Sequence, residues 1–484
     1  MPNNGPLTQL VAIGQHETHI IDNPNITFWR FRHMRHTNFA LESAEQQWSG
    51  GGHGLGDKVS LRINRQGDLI YHLYVRITLP GIANVVNESG CYEGHEIVAT
   101  EDDVCQWGAA GDVVAATDGC NGATQIPRYT NAVGHAAIKE ASITIGGQTM
   151  DTLYSDYLYM WEELSGKPGK KLGEQIGKAK TTSLGEYWSK FQRTLYVPLP
   201  FFFTMTSGTV LPLVSLQFHD VKVNVTFNPI EHIIVNYNAC FDGTKTKTVV
   251  REAPTGGRLA PITKSSNLTA VTSAHVQTAL EVTYVYLDTD ERQKFAEGSF
   301  EQLIQQTQQL VYTTSQPNNR IRLDFNHCLV ELIWAVRKSS VVSDTDHFNY
   351  SGITEPITSG NRDPVKSVCL KLNNQNRFCC TPGEYFRLIQ PLQHHTNVPE
   401  SFVYCYSFAL NPEDVQPSGS LNASRIDNVT FEINLDPDLF KDNASVTSGP
   451  PGNAKEDTVD VIIHARNINV LRIQKGLGGA AFAN

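Results

Sequence analysis

Apolar and polar residues alternate with a period of two along most of this chain. Val59, Leu61 and Ile63 alternate with polar neighbours, Arg65-Gln66-Gly67-Asp68 supplies a turn, and Leu69, Tyr71, Leu73, Val75, Ile77 and Leu79 resume the pattern. Successive side chains of a strand point to opposite faces, so this spacing predicts strand, turn, strand. The same alternation marks 141–148, 276–287, 321–336, 401–408, 429–435 and 459–473. One segment changes phase: Val214, Leu216 and Phe218 are apolar at even positions, whereas Val221, Val223, Val225 and Phe227 are apolar at odd ones. A slip of one residue turns every side chain to the other face, which predicts a bulge or corner at His219-Asp220.

Helical patterning is sparse. Asp288 followed by Glu291 fits a capping box, and Phe300, Leu303, Ile304 and Thr307 then stand at helical spacing, with Gly298 as an interruption. A second helix is predicted over 151–164, with Leu153, Tyr157, Trp161 and Leu164 on one side.

The strongest organisational signal is an internal repeat. Ile143-Thr144-Ile145-Gly146-Gly147-Gln148 is echoed about half a chain later by Leu370-Lys371-Leu372-Asn373-Asn374-Gln375. Each is a short strand entering a two-residue turn of the Gly/Asn type that accepts positive φ. Phe218-His219-Asp220-Val221-Lys222-Val223 and Arg425-Ile426-Asp427-Asn428-Val429 open comparable late strands, and each half carries a long polar excursion, 84–130 and 339–363, expected to be an exposed loop. The expected organisation is therefore an N-terminal arm, 1–24, a first β domain, 25–235, and a second, 236–484.

Composition narrows the function classes. The 484 residues would hold two large β domains or about three average ones. A net charge of -10 argues against a protein that coats nucleic acid. Met1–His19 shows no basic stretch leading into an apolar one, and no apolar run approaches the ~20 residues of a membrane span, so the chain reads as soluble and not secreted by the usual route. Nine cysteines at irregular spacing, with no CxxC pair, suit free thiols in a reducing compartment. Adjacent Cys379 and Cys380 stand in a strand-like stretch, where alternation would separate their side chains and prevent them from sharing a metal.

Candidate chemistry dissolves on inspection. The Gly50–Gly56 run lacks nucleotide-binding spacing, and the lysine-rich stretch 165–180 lacks a P-loop ending, so both read as loops, the second solvated and basic. His33 and His36, and the adjacent His394-His395, have no accompanying metal-ligand pattern, and the GxSxG and HExxH patterns are absent. Glu162-Glu163, like Asp288 with Asp290, is explained by caps and solvated faces. Eight N-x-[ST] sequons include Asn87 and Asn349 in the polar excursions. No catalytic, cofactor-binding or metal residue is assigned.

Several motifs, in order, carry a resemblance. They are Asn23-Pro24-Asn25-Ile26-Thr27-Phe28, Arg35-His36-Thr37-Asn38-Phe39-Ala40, Arg65-Gln66-Gly67-Asp68-Leu69-Ile70, Ile145-Gly146-Gly147-Gln148, Leu195-Tyr196-Val197-Pro198 and Leu211-Pro212-Leu213. Leu287-Asp288-Thr289 with Glu291-Arg292, Asn326-His327, Leu332-Ile333-Trp334, the block Phe408–Asp427 containing Asn411-Pro412-Glu413, Arg466–Arg472 and Gly476–Gly479 follow. Together they resemble the major capsid proteins of nucleocytoplasmic large DNA viruses; the wording departs at Trp29–Met34 and over 84–130. The resemblance implies an all-β double jelly roll, two tandem antiparallel eight-stranded sandwiches with short helical insertions and long surface loops. It further implies a non-enzymatic shell protein without cofactors, forming homotrimeric capsomers of pseudo-hexagonal outline that tile the outer icosahedral capsid of a virion assembled in the host cytoplasm or a viral factory. The loops 84–130 and 339–363, possible glycan carriers, would form an outward tower. The N-terminal arm would face inward, toward minor capsid and penton proteins and an internal membrane, with no direct contact to nucleic acid. The competing expectation is a glycan-binding or glycan-processing double β-sandwich.

Overall fold

A computed structural model describes residues 4–24, 27–29, 35–49, 54–81, 124–180, 182–189, 191–241, 247–250, 276–339, 346–351, 363–440 and 458–482. The chain divides into two units, Met1–Phe39 and Ala40–Asn484. The first holds two short helices, Gly5–Val11 and Gln15–Ile21; Glu17 closes the turn between them by accepting the Gly14 N–H at 2.9 Å.

The second unit is built from two sets of strands. The first set is β1 Phe39–Gln46, β2 Lys58–Arg62, β3 Leu69–Leu79, β4 Ile138–Ile145, β5 Gln148–Tyr154, β6 Arg193–Pro198, β7 Val221–Phe227 and β8 Gln277–Leu287. The second is β9 Phe300–Thr314, β10 Asn318–Arg322, β11 Cys328–Lys338, β12 Val365–Leu372, β13 Gln375–Pro382, β14 Val403–Ser407, β15 Val429–Leu435 and β16 Val459–Gln474. Hydrogen bonding orders them as β1-β8-β3-β6 and β2-β7-β4-β5 in the first half, and as β9-β16-β11-β14 and β10-β15-β12-β13 in the second. Moving each strand of the first half eight places along the numbering reproduces the second, so the repeat seen in the sequence is a repeat of topology. This is the crossed order of a jelly roll, in which strands distant in sequence are neighbours in each sheet. Short strands extend it: Leu211–Pro212 adds to β3, Leu421–Asn422 to β11 and Leu477–Ala480 to β16, while Thr124–Tyr129, Ile234–Phe241 and Lys247–Val250 form a separate three-stranded sheet.

Alternation explains the cores. In β3, Leu73, Val75, Ile77 and Leu79 are buried while His72, Tyr74, Arg76 and Thr78 are only half-buried. The two hairpin turns fall where the repeat predicts them. Ile145 pairs with Gln148 across Gly146 and Gly147, at φ 59° and 89°, and Leu372 pairs with Gln375 across Asn373 and Asn374, at 49° and 65°. Two successive positive φ values give a turn whose twist matches the flanking strands. The change of phase is a corner: the chain leaves the β1-β8-β3-β6 sheet after Pro212 and enters the β2-β7-β4-β5 sheet at Val221, with Asp220 O accepting the Gly146 N–H at 3.0 Å.

Several expectations are corrected. The helix capped by Asp288 is Thr289–Glu297 and ends at Gly298; Phe300, Leu303, Ile304 and Thr307 lie in β9, which pairs with β16 residue by residue from Phe300–Ile473 to Thr314–Val459. Their helical spacing is coincidental, since of the four only Ile304 is buried. The second helix begins at Ser155, because Asp151–Tyr154 finish β5 against β4. A boundary at 235 and 236 places β8 with the second half, yet β8 pairs with β3 of the first from Gln277–Thr78 onward. Of the excursion 84–130, residues 84–123 lie outside the described residues, and Thr124–Tyr129 pairs with Ile234–Phe241. Within 339–363, Phe348 and Tyr350 are buried rather than exposed, at 8% and 1% accessibility.

Candidate functional site: the junction of the two sandwiches

β5 delivers the chain into the helix Ser155–Ser165, in which every residue from Asp156 to Leu164 is buried. A surface helix buries one stripe; one buried all round lies between two bodies. Here one side packs on the first sandwich and the other meets the second. Asp156 Oδ1 pairs with Arg337 Nη1 of β11 at 2.7 Å and accepts the Tyr350 hydroxyl at 3.0 Å. Tyr159 stacks on Phe348 with ring centroids 4.4 Å apart. Asn397 donates its N–H to Leu164 O and its side-chain amide to Glu163 O, both at 2.9 Å.

Around Trp161 lies a buried charge cluster. The Arg466 guanidinium sits 4.0 Å from the centre of the Trp161 ring, donates to Glu331 Oε1 at 2.5 Å and to Pro412 O at 3.1 Å, and hydrogen-bonds Gln305. The other Glu331 oxygen lies 3.0 Å from His395 Nε2, a charge contact rather than an aligned hydrogen bond, and His395 Nδ1 reaches Glu413 Oε1 at 3.1 Å. Burial opposes the charged forms of both partners, but Arg466 and His395 overcome it for Glu331 and hold that carboxyl down at about 2. Glu331, with Cys405 and Glu413, likewise overcomes burial for the His395 ring and raises it.

The edges of the two halves also meet. Thr307 of β9 donates its N–H to Asp151 Oδ1 of β5 at 2.9 Å, and Gln306 hydrogen-bonds Met150 O. Burial pushes the Asp151 carboxyl up to about 7, against the two backbone N–H groups of Thr307 and Thr152. His464 of β16 packs against Tyr157 at 5.5 Å with no hydrogen-bond partner for either ring nitrogen among the described residues, and burial lowers it to about 4.

Sequence reasoning treated several of these residues as solvated. Glu162 and Glu163 are buried and share Lys178 of the basic stretch, whose Nζ lies 3.1 Å from Glu162 Oε2 and 4.9 Å from the centre of the Tyr159 ring. Of the adjacent histidines, His395 is in the cluster and His394 bonds Leu410 O at 2.8 Å. The spacing of Arg466, Glu331 and His395 along the chain carries no signal, because the topology alone brings them together.

Cys405, His395 and Glu331 have the composition of a thiol nucleophile with its base. The chemistry is unavailable: two carboxylates already keep the imidazole protonated, so it cannot accept the thiol's proton, and burial raises the fully buried Cys405 thiol. What the cluster can do is mechanical. Its ion pairs lie within the second sandwich and brace the face on which Trp161 packs, while the Asp156–Arg337 pair crosses to the first; removing one member of a buried pair typically costs about 3–5 kcal/mol, so the two sandwiches are held in one fixed relation.

Comparisons place this architecture. Residues 27–288 match the family described as major capsid protein N-terminus, and 291–479 match large eukaryotic DNA virus major capsid protein. The division falls in the helix Thr289–Glu297, where the chain passes from β8 to β9. The chain is 30% identical to the major capsid protein of Phaeocystis pouchetii virus and 31% identical to that of Pyramimonas orientalis virus, in both cases over 99% of this chain and 100% of the relative. Among solved structures, a chain of the PBCV-1 virus capsid superposes with a TM-score of 0.66 at 27% identity, covering 95% of this chain and 100% of that one. The Faustovirus major capsid protein shares the fold alone, with a TM-score of 0.64 at 12% identity. The paired jelly rolls and the two family matches that together span them make this chain a member of the major capsid proteins of large eukaryotic DNA viruses, a structural component of the virion capsid.

Proposed function

We propose that the protein assembles as a homotrimeric capsomer of pseudo-hexagonal outline that tiles the outer icosahedral shell. The observation that carries this reading is the doubled strand order, locked by the contacts that cross the buried junction. Two equivalent sandwiches in fixed relation let three chains present six near-equivalent corners, and a heterologous contact whose rotation closes gives a discrete trimer. An exposed apolar row on the helical stretch after β13 offers surface for such contacts: Tyr385, Leu388, Ile389 and Leu392, with exposures from 37% to 69%. In this reading the arm 1–24 faces inward toward minor capsid and penton proteins and an internal membrane, and assembly takes place in the cytoplasm or viral factory of the host.

The test is the solution mass of the purified chain together with images of single particles. Three times the chain mass with a pseudo-sixfold outline is expected. A monomer at micromolar concentration overturns the proposal.

A further inference from the structure

The edge hairpin β12–β13 carries three cysteines that strand alternation would keep apart. Val368 pairs with Thr381 and Leu370 with Phe378, so the single residue Cys369 faces two residues, Cys379 and Cys380. That two-against-one count is a β-bulge. Within it Cys380 adopts φ 54°, a left-handed conformation uncommon for a residue with a side chain. The bulge cancels the alternation between neighbours and turns both sulfurs toward Cys369. The Sγ atoms stand 2.8 Å (Cys369–Cys379), 3.5 Å (Cys379–Cys380) and 3.9 Å (Cys369–Cys380) apart. The corresponding hairpin of the first sandwich, aligned on the turns, has Ser142, Thr152 and Leu153 there.

We propose that Cys369, Cys379 and Cys380 form a three-thiolate site for a thiophilic d10 cation, Zn2+ among divalent ions. A metal–sulfur distance of ~2.3 Å sets sulfurs about 3.8 Å apart around a tetrahedral ion. Two of the three separations already approach that value, and rotation of the exposed Cys379 side chain opens the third. The Cys380 N–H points at Cys369 Sγ from 2.8 Å and holds that sulfur toward the other two. Cys379 and Cys380 are exposed, which leaves the fourth position to water. Binding releases three protons: one divalent ion and three thiols give a three-thiolate complex of charge minus one and three hydrogen ions, with no change of oxidation state.

The test titrates the full-length protein, reduced and freed of metal, with Zn2+ against a chromophoric chelator, and with Co2+ to read the thiolate-to-metal charge-transfer band. One equivalent is expected with that band, and affinity that rises steeply with pH. Cys379→Ser and Cys380→Ser, at exposed positions, are expected to weaken binding by more than about tenfold each, while Cys328→Ser and Cys405→Ser leave it unchanged. Unaltered stoichiometry and affinity in the Cys369→Ser/Cys379→Ser/Cys380→Ser protein would assign the metal to other cysteines and overturn the proposal. So would a reduced wild-type protein that binds no Zn2+, or one that binds without the charge-transfer band.

Discussion

β3 and β11 occupy the same place in their respective sandwiches, yet they are buried differently. In β3 one face is buried and the other half-exposed; in β11 every residue from Leu329 to Val336 is buried. The inner faces are alike. Leu73, Val75 and Ile77 fill the first core, and Leu332, Trp334 and Val336 the second. The difference lies on the outer faces, where Tyr74 and Arg76 of β3 are partly accessible whereas Glu331 and Arg337 of β11 turn into the junction. Identical topology thus gives one strand a single environment and its counterpart two, because the junction covers only the second.

The inner faces are the place to break the comparison most severely. Trp334 is fully buried against Phe386 and Phe431, each 5.2 Å away between ring centres, and Tyr404 at 5.9 Å. Trp334→Ala should cost about 3–5 kcal/mol and Ile77→Ala about 2–5 kcal/mol. Both would appear as lowered denaturant midpoints. An unchanged midpoint for either would show that its sandwich does not close on that face.

The outer faces should separate sharply. Glu331→Gln leaves the Arg466 charge buried without its paired carboxylate and His395 with Glu413 alone, and should cost about 3–5 kcal/mol. Arg76→Ala removes the 2.6 Å pair with Glu45, in which both side chains are partly exposed, and should cost less than about 1 kcal/mol. Equal effects would mean that the junction is wet.

Acid should act on the same contrast. The folded pKa of His464 lies below its ordinary value, so the native state binds fewer protons than the unfolded chain between about 6.5 and 4. Its contribution is complete above pH 6.5 and is lost as the pH falls through that window, by about 2–3 kcal/mol at pH 4. Asp151, raised by burial, works in the opposite direction below about 7, so the effect is read as the difference between wild type and His464→Phe. Measured against that variant, the wild type should lose about 2–3 kcal/mol as the pH falls from 6.5 to 4, while the variant keeps only the opposing trend from Asp151. His72→Phe on the outer face of β3, where burial is partial, should change the profile less.

What was legible in the sequence follows the same line. Strands with one solvated face, such as β2, β3 and β7, announce themselves by alternation, and the repeated turn and the corner before Val221 need only local backbone chemistry. β9 is not legible as a strand because Gln305, Gln306, Gln308 and Gln309 dilute its period and leave a chance helical spacing, while its partner β16 is about 160 residues away. The burial of Glu162, Glu163 and His395 was hidden for a related reason: a charged residue reads as solvated until topology supplies the opposite charge. Alternation separates the side chains of neighbouring cysteines only where the pleating is regular, and one positive φ at Cys380 suspends it.

The smallest effects concern the paired turns, which differ as β3 and β11 do. The first turn is held against the end of the second sandwich: a Cβ on Gly146 would clash with His219 Nδ1, and that ring is fixed by Gly478 O at 2.8 Å. Among the described residues the second turn is tied by hydrogen bonds to its own sandwich, with Asn373 Oδ1 accepting the Asn428 N–H at 3.0 Å. Exchanging the residues should therefore be asymmetric. Gly146→Asn keeps a residue type that tolerates positive φ but drives its side chain into a fixed ring, at a cost of about 1–3 kcal/mol. Asn373→Gly keeps the backbone and loses one exposed hydrogen bond, at about 0.5–1 kcal/mol, and Asn374→Gly should fall within about 0.5 kcal/mol of wild type. If Gly146→Asn were as mild as Asn373→Gly in thermal melting, His219 would be free to move and the first turn would not be part of what holds the sandwiches together.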